Sequence, residues 1–121
     1  MTRQYKRRRY SDAITRPAEK DITMAIIAFL RLHGIVCWWT RQELTRNRSN
    51  AADMPGLPDV VGYLKPMGRF FAFEVKRPCR PAPFTQEQKA FLDAVSAGGG
   101  VSGRVNSISD VQKILGGYLK R

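Results

Sequence analysis

Histidine and cysteine are scarce in this chain, and long apolar runs are missing. A single histidine and two cysteines in 121 residues leave little material for a soft-metal centre. Cys37 and Cys79 stand far apart with no CxxC or Cys/His cluster, which argues against structural zinc and against a disulfide scaffold. No apolar stretch reaches membrane-spanning length, and the N-terminus has no signal-peptide core. Acidic residues are also in short supply, with 10 Asp and Glu against 21 Lys and Arg and a net charge of +11. That excess is too lopsided for an ordinary enzyme of small metabolites, and it attracts polyanions, most simply nucleic-acid phosphates. An anionic membrane surface would ask for a basic amphipathic helix, and none is written here. The expectation is a cytoplasmic protein with no membrane partner.

What is present divides into a basic arm over 1–16 and one domain over 17–121, long enough to bury a core without staples. The arm carries Arg3, Lys6, Arg7, Arg8 and Arg9 with Tyr5 and Tyr10 interleaved. Like charges this dense do not pack together. The arm is either a solubilising tail or a nucleic-acid contact, and the tyrosines, able to stack on bases, favour the second.

Pro17 suits the opening of a helix, in which Ile22, Ile26, Phe29, Leu30 and His33 recur at helical spacing before Gly34. Glu19 lies one turn before Ile22 on the same stripe. It either complements the helix dipole or points into a site under the first turn. His33 reads as a helix-end residue rather than a ligand. Residues 35–40 follow as a strand whose two tryptophans, Trp38 and Trp39, face opposite sides, one of them core and the other covered by a partner or loop. The polar stretch 41–55, with Arg41, Arg46 and Arg48, reads as a phosphate-contacting loop or a solvated one.

Residues 56–76 form the informative stretch. Two apolar runs flank a Lys65-Pro66-Met67-Gly68 turn, the pattern of a β-hairpin. Alternation puts Phe71, Phe73 and Val75 on one face and Ala72, Glu74 and Lys76 on the other. Asp59 enters beside them from the partner strand. Two carboxylates and an ammonium converging on a sheet can bind a divalent cation and orient a water; the bland alternative is an exposed Glu–Lys pair worth a few tenths of a kcal/mol. Prolines then stop the strand, with Arg77 and Arg80 placed to hold phosphate. Thr85 and Gln88 fit a capping box for a helix running to Ala97. Residues 101–106 alternate as a last strand, and Ser107 or Ser109 caps a final short helix. Leu115, Tyr118 and Leu119 of that helix, or the tryptophan pair, are candidates for a subunit interface.

With these motifs in order, the chain resembles the PD-(D/E)xK nuclease superfamily and, within it, the VRR-NUC domain. The matching residues are Glu19, Gly56-Leu57-Pro58-Asp59-Val60-Val61-Gly62, Phe73-Glu74-Val75-Lys76-Arg77-Pro78 and Thr85-Gln86-Glu87-Gln88, and the likeness spans 17–115. It implies an α/β fold with a restriction-endonuclease-like αβββαβ core, its mixed central sheet flanked by helices. It also implies metal-dependent hydrolysis of DNA phosphodiesters. Asp59 and Glu74 would be the principal ligands of Mg²⁺ or Mn²⁺, joined by the backbone carbonyl of Val75 and by Glu19, directly or through water. Lys76 would steady the attacking water and the transition state as an electrostatic group rather than a general base. Gln88 would touch the phosphate, unless it serves only as a helix cap. Small stand-alone members, often phage-like, resemble Holliday-junction resolvases that act as homodimers on branched DNA, with no small-molecule cofactor. Two alternatives stay open: a flap, single-strand or nonspecific nuclease of the same superfamily, and a non-catalytic nucleic-acid-binding module.

Overall fold

The computed structural model describes residues 18–44, 55–78 and 83–119. Helix α1 spans Glu19–Leu32, beginning two residues after Pro17, which itself lies outside the described residues. Ala18 caps it without a side-chain bond, and Glu19 and Asp21 in the first turn meet the positive end of the dipole instead. Ile22, Thr23, Ile26, Ile27 and Leu30 are its buried face. Buried Thr23 is satisfied by donating to the Glu19 carbonyl at 2.8 Å. His33 is the C-cap, its ring tilted against Phe29 with centroids 4.6 Å apart, and Gly34 takes the positive φ of 74° that ends the helix.

Strand β1, Val36–Trp39, is shorter than its apolar run suggests. Thr40 leaves it to begin a π-helical turn, Thr40–Leu44. The cause is Glu43, whose carboxylate accepts the Trp39 N–H at 2.9 Å and the Arg31 guanidinium at 2.8 Å. This side chain takes the place a strand partner would have had. The hairpin forms as the sequence indicates, with β2 at Val60–Leu64, β3 at Arg69–Val75 and the turn between them. Helix α2, Gln86–Ala97, follows with the capping box formed in both directions. Strand β4, Val101–Val105, leads to α3, Ile108–Leu115, capped by Ser107, and a 3₁₀ turn over Gly116–Tyr118.

These elements make an α/β fold around a mixed four-stranded sheet in the order β1-β2-β3-β4. The first two pairings are antiparallel, and β3 pairs parallel to β4 across the α2 crossover. One face carries Cys37, Val60, Leu64, Phe71, Phe73, Val75 and Val105 against α1 and α3, forming the main core. The other carries Val61 and Ala72 against Leu92, with Trp38, Phe84, Phe91 and Val95 around them. The two tryptophans do face opposite sides, but each packs within the chain, Trp39 on the main core and Trp38 on the second cluster. Both are partly buried there. Leu115 is fully buried in the main core and cannot serve an interface, so Tyr118 is the exposed residue of that trio. Gly62 sits where a side chain would strike the Val36 carbonyl and the Phe71 ring, so glycine lets Phe71 fill the centre of the core. No helix among the described residues is long and apolar enough to cross a membrane.

Candidate active site

The side chains singled out on the hairpin meet on the α2 side of the sheet, at the end where β2 begins and β3 finishes. Strand alternation sends Phe73 and Val75 into the main core, and both are fully buried there. Glu74 is thereby turned to the opposite face. In register with it across the parallel ladder stands Arg104 of β4. On the antiparallel side Val60 pairs with Phe73, so Asp59, one residue earlier, is carried beside Glu74. The Asp59 carboxylate accepts the Val75 N–H at 2.8 Å. It is therefore fixed by backbone rather than left to swing.

Thr40 and Gly56 hold the Asp59 segment in place. The buried Thr40 hydroxyl donates to the Pro58 carbonyl at 2.6 Å, and its N–H donates to the Asp59 carbonyl at 3.0 Å. Gly56, at a φ of +79°, lies so close to the first turn of α2 that a Cβ would strike the Glu87 carbonyl. The close approach brings the capping residues of α2 over the hairpin. Gln88 then serves two groups with one amide. Its Oε1 accepts the Thr85 N–H at 3.1 Å, and its Nε2 donates to Glu74 Oε1 at 3.1 Å. The cap fixes which end of the amide faces the carboxylate, since only the oxygen can receive the Thr85 donor.

Glu74 and Lys76 are only 3 % and 6 % exposed, so they are not an ordinary solvated pair. Lys76 Nζ stands 3.6 Å from Glu74 Oε1, within ion-pair range yet longer than a good hydrogen bond. Glu74 Oε2 is buried with no hydrogen-bond donor on it. Burial first, and the neighbouring Asp59 carboxylate second, push the Glu74 carboxyl up to about 8, against the pull of Lys76. A buried carboxylate oxygen facing a second carboxylate is stable only if a proton or a cation comes between them. Its hard oxygen donors are those that Mg²⁺ and Mn²⁺ prefer. That one unsatisfied atom is where a divalent cation between the two carboxylates would bind.

The remaining expected site residues divide. Val75 is fully buried and tied to Asp59, so its carbonyl belongs to the same turn of chain. Glu19 is carried on α1, in the layer against the opposite face of the sheet. Among the described residues no three His, Cys, Asp or Glu side chains gather closely enough to hold a metal. Glu19 therefore does not join Asp59 and Glu74 as a third direct donor. Arg41 is exposed on the turn that Thr40 anchors, and half-buried Arg77 borders the site beyond Lys76. Arg3, Lys6, Arg7, Arg8, Arg9, Arg46, Arg48 and Arg80 lie outside the described residues. Thr40 and Arg104 were not singled out by the sequence. Nothing in spacing marks a strand-end threonine as the clamp on a segment 18 residues later, and Arg104 meets Glu74 only once β4 is known to run parallel to β3. Compared with protein-family models, curated proteins and solved structures, the chain gave no match.

Proposed function

We propose that this protein is a metal-dependent DNA endonuclease of the PD-(D/E)xK type, built on that superfamily's αβββαβ core and resembling the VRR-NUC domain. The observation that carries the reading is the buried Glu74 carboxylate. One of its oxygens is held by Gln88 near Lys76, and the other is unsatisfied beside Asp59. Stability alone does not favour such a group, because a buried ion pair seldom recovers its desolvation cost. A strongly basic chain brings phosphates to it.

In this reading Asp59, Glu74 and the Val75 carbonyl would hold Mg²⁺ or Mn²⁺. The cation supplies charge neutralisation at the phosphate and a more acidic water. The chain's own groups do the rest. Lys76, kept in place by burial, presents an ammonium to the non-bridging phosphate oxygens as negative charge develops there. Gln88 restrains the Glu74 carboxylate in one rotamer, so that no reorganisation is needed during the reaction. Arg41 and Arg77 at the border draw in flanking phosphates.

The preferred substrate on this reading is branched DNA cut by a homodimer. One chain carries one carboxylate pair, and paired nicks in two strands take two copies. The test is cleavage of a labelled four-way junction beside linear duplex and a flap, with Mg²⁺ or Mn²⁺, for wild type, Glu74→Ala and Lys76→Ala. Symmetric paired nicks from wild type, lost in both variants while they still bind DNA, support a resolvase. Cutting confined to flap or linear DNA keeps the nuclease and removes the resolvase. Binding to all three without cutting, together with no heat of Mg²⁺ or Mn²⁺ binding in calorimetry, would leave a DNA-binding module.

A further inference from the structure

Beside the carboxylate pair, on the far side of Lys76, the C-terminal ends of β3 and β4 border a cavity of about 230 Å³ that is open to solvent on one side. Its walls are Lys76, Arg77, Pro78, Arg104, Val105 and Asn106. Three of the six are cationic and none is acidic. The Lys76 N–H donates to the Val105 carbonyl at 2.9 Å, so the two strand ends that form the walls are stitched together at their base. Lys76 is only 6 % exposed, and it borders both this cavity and Glu74. The Arg104 guanidinium lies over the Phe84 ring, 5.0 Å from its centroid, which orients it. Asp110, a nearby acid, accepts the Asn106 N–H at 2.9 Å and is not part of the lining.

We propose that this cavity is a second phosphate site, taking the phosphate next to the one that meets Asp59 and Glu74 in a nucleic-acid substrate. The proposal rests on the nuclease reading for the identity of that substrate. Its own support is the lining: clustered cations with an amide donor, in a concavity at the carboxyl ends of parallel strands, where ligands of α/β sheets commonly bind. The volume falls below the roughly 300–1,000 Å³ of pockets that engulf drug-sized ligands. It suits a phosphate with part of its sugar, not a whole nucleotide with its base. Arg104, opposite Glu74 in the ladder, sets the spacing between the two sites. The phosphate is either the next diester of a continuous strand or the monoester at a strand end, and both offer the same oxygens to the same cations.

The first arm of the test needs no cleavage. Metal-free protein is titrated with inorganic phosphate and followed by amide chemical shifts. Wild type should show saturable shifts at Lys76, Arg77 and Arg104 to Asn106. Arg104→Gln should weaken that binding at least 5-fold, Arg104→Lys should restore it to within about 2-fold of wild type, and Asn106→Ala should weaken it about 2- to 3-fold. Melting curves check that each variant is folded, and Asn106→Ala carries the test if Arg104→Gln is not. Shifts that do not saturate, or an affinity unchanged in both Arg104→Gln and Asn106→Ala, would overturn the site. The second arm compares cleavage of oligonucleotides with and without a 5′-phosphate. A gain on phosphorylation that vanishes in Arg104→Gln identifies a strand end. No effect of phosphorylation, with KM raised in Arg104→Gln for both substrates, identifies an internal diester. Phosphate binding with no cleavage of any substrate would sink the nuclease reading and leave the phosphate site standing.

Discussion

Glu74 is the residue on which the chemistry and the stability of this molecule conflict. Its carboxyl is pushed up to about 8 from 4.5, so the folded protein keeps a proton that the unfolded chain releases across that window. More protons on the folded state means that stability falls as pH rises through it, and levels off above about 8. Metal-free wild type should therefore lose up to about 1.4 kcal/mol per pH unit between roughly 5 and 8, read as a falling urea midpoint. Glu74→Gln should flatten that slope while lowering cleavage by at least about 100-fold. Mg²⁺ at pH 8 should raise the wild-type midpoint and leave the variant unmoved. A slope that survives in Glu74→Gln would place the titration elsewhere. Alternation in the sequence is sufficient to set Glu74 and Lys76 on one face, because the period of a strand is two. Their burial is not legible there. It depends on α2 crossing above them, and on Gly56 allowing it.

At the scale of the element, the first turn of α2 is both a cap and a wall of the site, and the two functions can be separated. Thr85→Ala removes the cap bond from the Gln88 N–H and should cost about 1 kcal/mol of stability, with cleavage reduced less than about 5-fold. Gln88→Glu retains a capping-box residue, since glutamate serves at that position as glutamine does. It also sets a third carboxylate against Glu74 in place of a donor. Stability near that of Thr85→Ala or better, with cleavage down by about 10-fold or more, is the expected result; equal activity in Gln88→Glu and wild type would reduce Gln88 to a cap. Gly56→Ala acts on the same contact from the other side. It strains a positive φ and drives a methyl into the Glu87 backbone, so a loss above about 1 kcal/mol is expected in the urea midpoint. The capping box and the hairpin are local patterns, and the sequence carries them openly. The π-helical turn after β1 and the parallel seat of β4 depend on Glu43 reaching Arg31 and on which strand β4 chooses. Neither is a local property, and for that reason Thr40 and Arg104 could not be found by spacing.

For the whole molecule, the basic arm and the chemistry occupy different parts of the chain. Residues 1–16 hold six of the 21 basic residues, while the carboxylates and Lys76 sit on the sheet. If the arm neutralises phosphates, its deletion should weaken DNA binding without changing the cleavage step. The salt dependence makes this quantitative, because each phosphate neutralised on duplex contributes about −0.9 to the slope of log K against log salt. Deleting 1–16 should make that slope shallower by about 3 to 5 and raise Kd steeply at low salt. Single-turnover cleavage at saturating protein should stay within about 2-fold. Arg41→Ala, a single exposed cation near the site, should change the slope by about 1. A deletion that leaves the slope intact would make the arm a solubilising tail. One that abolishes cleavage at saturation would mean that the arm belongs to the active site, and that charge and chemistry are not separable in this chain.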